Sequence, residues 1–352
     1  MKEQDAPVIK ELNEPAPAVS QPDREAVEAV ERALGDVTRR LREMEQAIGA
    51  MIVGQKEVVH QVLVAMLAGG HVLLEGVPGL GKTALVRAVA GVTGLSFRRI
   101  QFTPDLMPAD ITGTQVYDGK IAGEPFRFAP GPVFANILLA DEINRATPKT
   151  QSALLEAMQE RTVTVGGTSY PLPRPFFVLA TQNPLEMEGT YPLPEAQLDR
   201  FLFKVNVDFP SPEELLAIGA LTTGAEEPGV KTILQPGEIE YWQGLVRRVV
   251  VVKDIMDYAV RLVLATRPET AEAIPGVRRF VRYGSGPRGL QALLLGARAE
   301  ALRAGRPGAG YEDVRKVARA ALRHRLILNF EAAAEGITPD DLIEELLSGV
   351  RP

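Results

Sequence analysis

The stretch that decides the fold is residues 76–83, which read GVPGLGKT. An apolar segment, residues 71–75, comes directly before it, and a helical pattern begins near Ala84. In such a loop the glycines let backbone N–H groups curl around phosphate oxygens, and the N-terminus of the following helix adds a partial positive charge. The spacing predicts that Lys82 reaches the phosphates of a nucleotide and that Thr83 binds the accompanying magnesium ion. A glycine-rich turn that binds nothing is the alternative, and the flanking strand and helix argue against it.

A second apolar run, residues 137–140, ends in two carboxylates, Asp141 and Glu142. Parallel sheets place ligand sites at the carboxyl ends of their strands, so this pair is expected beside the glycine-rich loop. We expect Asp141 to hold the magnesium shell and Glu142 to orient and polarise the water that attacks the γ-phosphate. Taken alone, an apolar run that ends in Asp-Glu is equally typical of a solvated strand end. The loop upstream favours the catalytic interpretation.

Four further polar residues are candidates for the same chemistry. Asn183 follows the apolar run 176–180 and could hydrogen-bond both the γ-phosphate and the attacking water, although Asn-Pro is also a plain turn signal. Arg145, Arg200 and Arg288 stand out by position, in a chain whose arginines are mostly expected to be surface residues. A cation placed on the γ-phosphate stabilises developing charge, and this is the role that such an arginine would have.

Composition excludes several other kinds of chemistry. The 352 residues are 45% hydrophobic and 24% charged, as in an ordinary soluble globular protein. There is no cysteine, which excludes disulfides, thiolate metal sites and cysteine nucleophiles. A formal net charge of -6 argues against a protein that mainly coats nucleic acid. The acidic N-terminus does not resemble an export signal and no apolar run is long enough for a bilayer, so we expect a cytoplasmic protein without membrane insertion.

The order of segments predicts an α/β fold with a five-stranded parallel sheet, followed by a small all-helical domain. Strands are expected at 71–75, 97–100, 137–140, 176–180 and 203–207, with helical patterns between them. The strand signal fades at Ser211, where a cap, a first-turn proline and Glu214 begin a helix. Helices are then expected near 237–264, 288–303, 311–326 and 340–347. The predicted domains are a disordered tail at 1–22, a helix at 23–50, the nucleotide-binding domain at 51–210 and the helical domain at 211–352.

Two other patterns predict local structure. Apolar residues recur every three or four positions from Val27 to Ile48, which indicates one stripe on a helix. A helix that lies on its own domain explains the stripe more simply than a coiled coil does, because Gly35 interrupts it and consistent charge pairs are missing. Hairpins are expected at 162–165 around a Gly-Gly turn and between Thr114 and Phe128.

Taken together, these motifs resemble the AAA+ ATPases and, more narrowly, the MoxR family within the clade that includes the magnesium chelatase subunit. The resemblance rests on residues 53–55, 141–146, 180–184 and 198–201 in addition to the glycine-rich loop. It implies ATP and Mg²⁺ as cofactors, Asn183 as sensor one, Arg200 as the arginine finger acting on a neighbour's ATP, and Arg288 as sensor two. It makes Arg145 a second interface arginine, and the choice between Arg145 and Arg200 as the finger stays open. The nucleotide-binding residues that it implies are Gly54, Gln55, Gly76, Pro78, Gly79, Leu80, Gly81, Lys82, Thr83 and Ala84.

The resemblance also implies a function. We expect a homo-oligomeric ring, with six subunits, that remodels a client protein together with a von Willebrand factor A domain partner. The two hairpins would be the pre-sensor hairpin and the helix-two insert, which contact the client. The motor subunit of a metal-chelatase complex is the alternative with the same motifs. A nucleic-acid motor is a third hypothesis, supported by the basic run 315–325, but a solvated helix face explains that run more simply.

Overall fold

The computed structural model describes residues 24–117, 126–184, 189–224, 229 and 231–351, with side chains described from residue 34 onward. The tail predicted at 1–22 lies outside the described residues. The strands are β1 Val72–Glu75, β2 Phe97–Gln101, β3 Gly113–Tyr117, β4 Phe126–Pro130, β5 Ile137–Asp141, β6 Thr162–Val165, β7 Thr168–Pro171, β8 Phe177–Gln182, β9 Phe203–Asn206, β10 Val281–Tyr283 and β11 Ile327–Leu328. The first helices are α1 Arg24–Gly49, α2 Lys56–Leu67, α3 Lys82–Thr93, α4 Pro108–Thr112, α5 Pro148–Glu160 and α6 Glu195–Leu198. The later helices are α7 Pro212–Thr223, α8 Glu238–Arg248, α9 Lys253–Ala265, α10 Pro275–Phe280, α11 Pro287–Arg303, α12 Tyr311–Leu322, α13 Phe330–Glu335 and α14 Pro339–Gly349.

The predicted five-stranded parallel sheet is confirmed, in the order β2-β5-β8-β1-β9. Successive side chains of β5 belong to different hydrophobic clusters, with Ile137 and Leu139 on one face and Leu138 and Ala140 on the other. Both faces are therefore covered, as expected where helices connect parallel strands. The arrangement places the ends of β1, β5 and β8 next to one another at the carboxyl edge.

Helix α1 lies on its own chain. Its stripe is buried from Leu34 to Ile48, and the helix packs against α2, α3, α8 and α11. The packing uses the apolar face that the sequence pattern indicated, so no partner helix is needed to cover it.

Both predicted hairpins are present in the described residues. β6 and β7 pair through Gly166 and Gly167, whose φ angles of 59° and 82° suit a tight two-residue turn. β3 and β4 pair antiparallel, and the connecting residues 118–125 lie outside the described part. The rings of Phe128 and Tyr170 stack with centroids 4.1 Å apart, which joins the two hairpins.

The second domain is helical as predicted and begins with the expected cap. The Ser211 backbone N–H donates to Glu214 Oε2 at 2.8 Å, and the Glu214 backbone N–H donates to Ser211 Oγ at 3.3 Å. The single helix expected over 237–264 is instead two helices, α8 and α9, separated at 249–252. Those four residues are all valine, and Val250 exchanges backbone hydrogen bonds with the segment at Pro307–Ala309. Consecutive β-branched residues favour this extended pairing over helix.

Two corrections concern the rest of this domain. A two-stranded antiparallel ribbon, β10 with β11, is added to the helices. The basic run 315–325 is a solvated face only in its helical part: Lys316 and Arg319 are exposed, whereas Arg323 and Arg325 follow α12 and are largely buried. Arg323 pairs with Asp340 at 2.7 Å, Arg319 pairs with Glu344, and Arg325 is buried against Asp199. The pattern of charges could not reveal carboxylates that lie far away in sequence.

Candidate nucleotide site

The glycine-rich loop connects the end of β1 to the start of α3. Gly79 and Gly81 have φ angles of 83° and 76°, a backbone conformation that favours glycine, and a Cβ on either would meet no atom within 4 Å. Gly76 is constrained differently, because a Cβ there would lie 2.8 Å from the backbone oxygen of Val207. The Lys82 Nζ donates to the Gly76 backbone oxygen at 2.6 Å, which folds the side chain back across the loop. The loop therefore forms an open backbone cradle with a cation above it.

The two carboxylates lie beside this loop and have different neighbours. Thr181 Oγ1 donates to Asp141 Oδ1 at 2.6 Å and accepts the Glu142 backbone N–H at 2.8 Å. The guanidinium of Arg99 pairs with Asp141 Oδ2 at 2.7 Å. Glu142 has φ 55° and ψ 50°, the left-handed conformation that costs energy for a residue with a side chain. Such strain at a strand end aims the Glu142 carboxylate away from the direction that a regular strand would give it.

One cavity brings the central candidates together. It is lined by residues of the loop, including Pro78, Lys82 and Thr83, and by Asp141, Glu142 and Asn183, and we call it the phosphate cavity. Asn183 is buried and comes directly after β8. The sequence motifs thus converge at the carboxyl edge of the sheet, as the strand-end argument predicts.

A second cavity adjoins the loop from the other side. Gly54 and Gln55 line it together with residues of α12, and Gln55 Nε2 donates to the Leu80 backbone oxygen at 2.6 Å. The Gln55 Oε1 is buried and accepts no hydrogen bond from the described residues. Gly54 has φ 84°, and a Cβ there would lie 2.4 Å from the Glu214 carboxyl carbon. Gln55 therefore connects this second cavity to the loop.

The three candidate arginines are divided between two places. The Arg145 Nε lies 3.2 Å from Glu142 Oε2 of its own chain. Arg200 and Arg288 instead line a different cavity, which we call the arginine cavity and which also includes Asp199 and Arg325. There the Arg288 Nη1 lies 3.7 Å from Asp199 Oδ2, so Arg288 does not reach the phosphate cavity of its own chain.

Three residues of the site were not found by sequence reasoning. Arg99 and Gln101 extend from β2 and line the phosphate cavity, and Gln101 Nε2 donates to Glu142 Oε2 at 2.7 Å. Thr181 holds Asp141 as described above. The register pairs Gln101 with Asp141, and this adjacency depends on the order of the strands, which no local motif encodes.

The comparisons with known proteins agree with this geometry. Residues 71–203 match the model of an ATPase family associated with various cellular activities, and residues 276–346 match an AAA lid domain. The chain is 47% identical over 324 residues to the chaperone MoxR1 of Mycobacterium tuberculosis, which covers 92% of this chain and 82% of that protein. It is 33% identical to the protein MoxR of Paracoccus denitrificans, over 87% of this chain and 94% of the other. A crystal structure of a putative ATPase from Cytophaga hutchinsonii is 40% identical with a TM-score of 0.86, and the match covers 92% of this chain and 98% of that one.

This chain belongs to the MoxR family of AAA+ ATPases. Residues 276–346 of the second domain are the AAA lid. No helix within the described residues is long and apolar enough to cross a membrane.

The residues at the phosphate cavity fit a magnesium ion. The Thr83 hydroxyl and the Asp141 carboxylate are hard oxygen ligands, and Mg²⁺ commonly takes one or two such ligands together with waters and substrate phosphates. A guanidinium already lies against Asp141, which shows that this carboxylate accepts a cation.

Proposed function

We propose that this MoxR-family chain hydrolyses ATP with Mg²⁺ in a homo-oligomeric ring of six subunits, and that turnover remodels a client protein. The observation that carries the proposal is the separation of two cavities. The phosphate cavity holds the loop, Asp141, Glu142 and Asn183, whereas the arginine cavity holds Arg200 and Arg288. Lys82 and Arg99 line the phosphate cavity, but Arg200 and Arg288 do not, and we propose that these two arginines complete the site of a second subunit.

Each residue has a distinct part in the proposed reaction. The loop N–H groups and Lys82 hold the phosphates, and Thr83 and Asp141 hold the magnesium ion, which when bound neutralises phosphate charge. Glu142 orients the water and accepts its proton while that water attacks the γ-phosphorus. Asn183 donates a hydrogen bond that fixes the water or the γ-phosphate in line.

The arginine finger is assigned to Arg200. Arg145 is paired with Glu142 of its own chain, where it can position that carboxylate. Arg200 and Arg288 line the same cavity, which shares no lining residue with the phosphate cavity. We therefore assign both to the neighbouring subunit's ATP, with Arg200 as the finger.

The joined hairpins are the proposed client-binding part. Near the end of the β3–β4 hairpin, Tyr117 and Phe126 are 69% and 56% exposed, and their rings meet edge to face at 5.7 Å. Exposed aromatic side chains are enriched at protein interfaces. We propose that they contact the client or its von Willebrand factor A domain adaptor.

Two alternative functions, a nucleic-acid motor and a metal-chelatase motor, are distinguished from the proposal as follows. The arginines of the run 315–325 that motivated a nucleic-acid motor are largely used inside the chain. A metal-chelatase motor would show ATPase activity stimulated by a tetrapyrrole, and the remodelling proposal expects no such stimulation.

The reaction is tested by phosphate release. The wild-type chain should release phosphate from ATP in the presence of Mg²⁺, and Glu142→Gln should lower the rate by about 10²- to 10⁴-fold. Glu240→Gln removes an exposed carboxylate from α8 and should leave the rate unchanged. Equal rates in Glu142→Gln and the wild type would reject the assigned reaction.

The partner is tested by co-purification from the source cells. A protein with a von Willebrand factor A domain should co-purify with Glu142→Gln in ATP, and should be lost when Tyr117 and Phe126 are both replaced by serine. If the partner co-purifies equally well with the double variant, the β3–β4 hairpin is not its binding site.

A further inference from the structure

The phosphate cavity is lined by a cationic side chain, Arg99, that pairs with the carboxylate of Asp141. The Arg99 guanidinium donates to Asp141 Oδ2 through Nη2 at 2.7 Å and through Nε at 3.2 Å. Asp141 Oδ1 already accepts the Thr181 hydroxyl, so both carboxylate oxygens have partners. The Asp141 side chain is 12% exposed, which limits how far water can screen the pair.

Arg99 also connects the two carboxylates. Its Nη2 donates to Gln101 Oε1 at 2.8 Å, and Gln101 Nε2 donates to Glu142 Oε2 at 2.7 Å. Because Arg99 and Gln101 are two positions apart on β2, their side chains leave the same face of the strand. An unbroken chain of hydrogen bonds therefore runs from Asp141 through Arg99 and Gln101 to Glu142.

We propose that Arg99 is a positioning residue that occupies the magnesium-binding carboxylate and competes with the metal for it. Asp141 Oδ2 cannot give its full charge to both a guanidinium and a divalent cation, and the two cations repel each other at that distance. Metal that arrives with the nucleotide therefore displaces Arg99 from Asp141. This inference rests on the proposed nucleotide site.

Displacement of Arg99 has a second consequence. The guanidinium fixes the Gln101 amide, and that amide holds the Glu142 Oε2 that must be available to orient water. When Arg99 leaves Asp141, Gln101 loses the donor that orients it, and the restraint that Gln101 places on Glu142 Oε2 is relaxed, which leaves Arg145 as the partner of that oxygen. Metal occupancy and the freeing of the water-orienting carboxylate are then coupled, and the site is restrained until metal and nucleotide are both present.

The test measures Mn²⁺ affinity in the presence of a slowly hydrolysed ATP analogue, from the electron paramagnetic resonance signal of free Mn²⁺. Arg99→Met should bind Mn²⁺ about 3- to 10-fold more tightly than the wild type, the range that loss of a partly exposed ion pair on Asp141 Oδ2 implies. Arg99→Lys keeps the charge but not the planar donors that reach both Asp141 and Gln101, so its Mn²⁺ affinity should lie between those of the wild type and Arg99→Met. Arg98→Met removes an equal charge from the next position of β2, on the other face of the strand, and should change the affinity by less than about twofold.

Analogue binding in EDTA separates this inference from the proposed function. If the wild-type chain binds no nucleotide either in EDTA or with Mn²⁺, the nucleotide site itself is wrong. If nucleotide binds normally but Arg99→Met binds Mn²⁺ with equal or lower affinity, Arg99 does not compete with the metal and the inference is overturned. Loss of metal-free nucleotide binding in both Arg99→Met and Arg99→Gln would also overturn it, because Arg99 would then act on the nucleotide or the fold.

Discussion

Adjacent carboxylates at the end of β5 are held by different groups. Asp141 is fixed on both oxygens, by the Thr181 hydroxyl and the Arg99 guanidinium. Glu142 has a left-handed backbone conformation, and its carboxylate bonds to the ends of two longer side chains, Gln101 and Arg145. A fixed carboxylate suits a metal ligand, and a carboxylate on movable partners suits one that must realign toward water.

Nucleotide binding and hydrolysis should therefore be lost separately. Lys82→Ala removes the cation above the phosphate cradle and should weaken ATP binding by about 10- to 100-fold, the value of a charged hydrogen bond. Glu142→Gln should bind ATP within about threefold of the wild type, because the uncharged amide touches neither the cradle nor Asp141. Equilibrium binding of a fluorescent ATP analogue measures both, and an equal loss of affinity in the two variants would contradict this division.

The central residues were predictable because each belongs to a local motif. The loop, the Asp141-Glu142 pair and Asn183 could be read from residue type and the apolar run before each one. Arg99, Gln101 and Thr181 could not, because their roles arise from β2 and β8 lying on either side of β5. An arginine at an exposed strand position is common in sequences. That Arg99 pairs with Asp141 becomes visible only when the order of the strands is known.

Among the helices, α1 connects the nucleotide-binding domain to the lid through a buried polar cluster. His60 of α2 bonds to Glu300 of α11, and Arg303 of α11 bonds to Glu45 of α1 at 3.0 Å. The His60 Nδ1 lies 3.8 Å from Glu45 Oε1. Burial alone would lower the pKa of His60, but the bonds to Glu300 and Glu45 outweigh it and raise the pKa to about 9.

The raised pKa of His60 predicts how the unfolding free energy depends on pH. Because the folded-state pKa of His60 lies above the unfolded value near 6.5, its contribution to stability is fully present below pH 6.5 and is lost as pH rises toward 9. The wild type should lose on the order of 3 kcal/mol more unfolding free energy than His60→Gln across that window. Urea unfolding at several pH values measures the difference.

His71 provides the control. Burial lowers the pKa of His71 to about 4, so between about pH 7.5 and 9 this residue is neutral in both the folded and the unfolded chain. In that window the unfolding free energy of His71→Gln should therefore change with pH as that of the wild type does, even if the substitution alters the absolute stability. If the unfolding free energies of the wild type and His60→Gln change equally with pH, His60 is not charged in the folded protein.

The helices were predictable where one apolar stripe explained them. The stripe of α1 and the cap at Ser211 gave correct helices, because both signals are local. The break at 249–252 and the burial of Arg325 were not predicted, since Val250 pairs with residue 308 and Arg325 with Asp199, which are distant in sequence.

Over the whole molecule, the two cavities lie on different parts of the structure. The arginine cavity lies where the lid helix α11 meets the segment before β9, and Asp199 holds Arg325 and Arg288 there. The phosphate cavity is at the carboxyl edge of the sheet. In the proposed ring, each subunit contributes its phosphate cavity to one interface and Arg200 to the other, a head-to-tail arrangement that can close into a ring.

Assembly should depend on nucleotide. Arg200 gains a phosphate partner only when a neighbour carries ATP, so a slowly hydrolysed analogue should shift the chain toward the ring. Arg200→Ala should reduce this shift, and Arg248→Ala on the exposed side of α8 should not. Sedimentation velocity with and without the analogue measures it, and a monomer at all protein concentrations in both conditions would refute the ring.

The most direct test of shared active sites mixes two inactive proteins. Lys82→Ala keeps an intact Arg200 but has a defective phosphate cavity. Arg200→Ala keeps an intact phosphate cavity but lacks the arginine finger. Each should be nearly inactive alone, since loss of a finger can cost about 10³-fold or more in rate. Subunit exchange is first demonstrated with fluorescently labelled chains, and Arg145→Ala mixed with Lys82→Ala serves as the comparison.

The phosphate-release rate of the mixture decides the matter. When Lys82→Ala and Arg200→Ala exchange subunits, some interfaces join an intact finger to an intact cradle, and the rate should rise well above the sum of the separate proteins. The mixture with Arg145→Ala should stay additive, because Arg145 serves the site of its own chain. Additive activity for Arg200→Ala despite proven exchange would contradict catalysis between subunits.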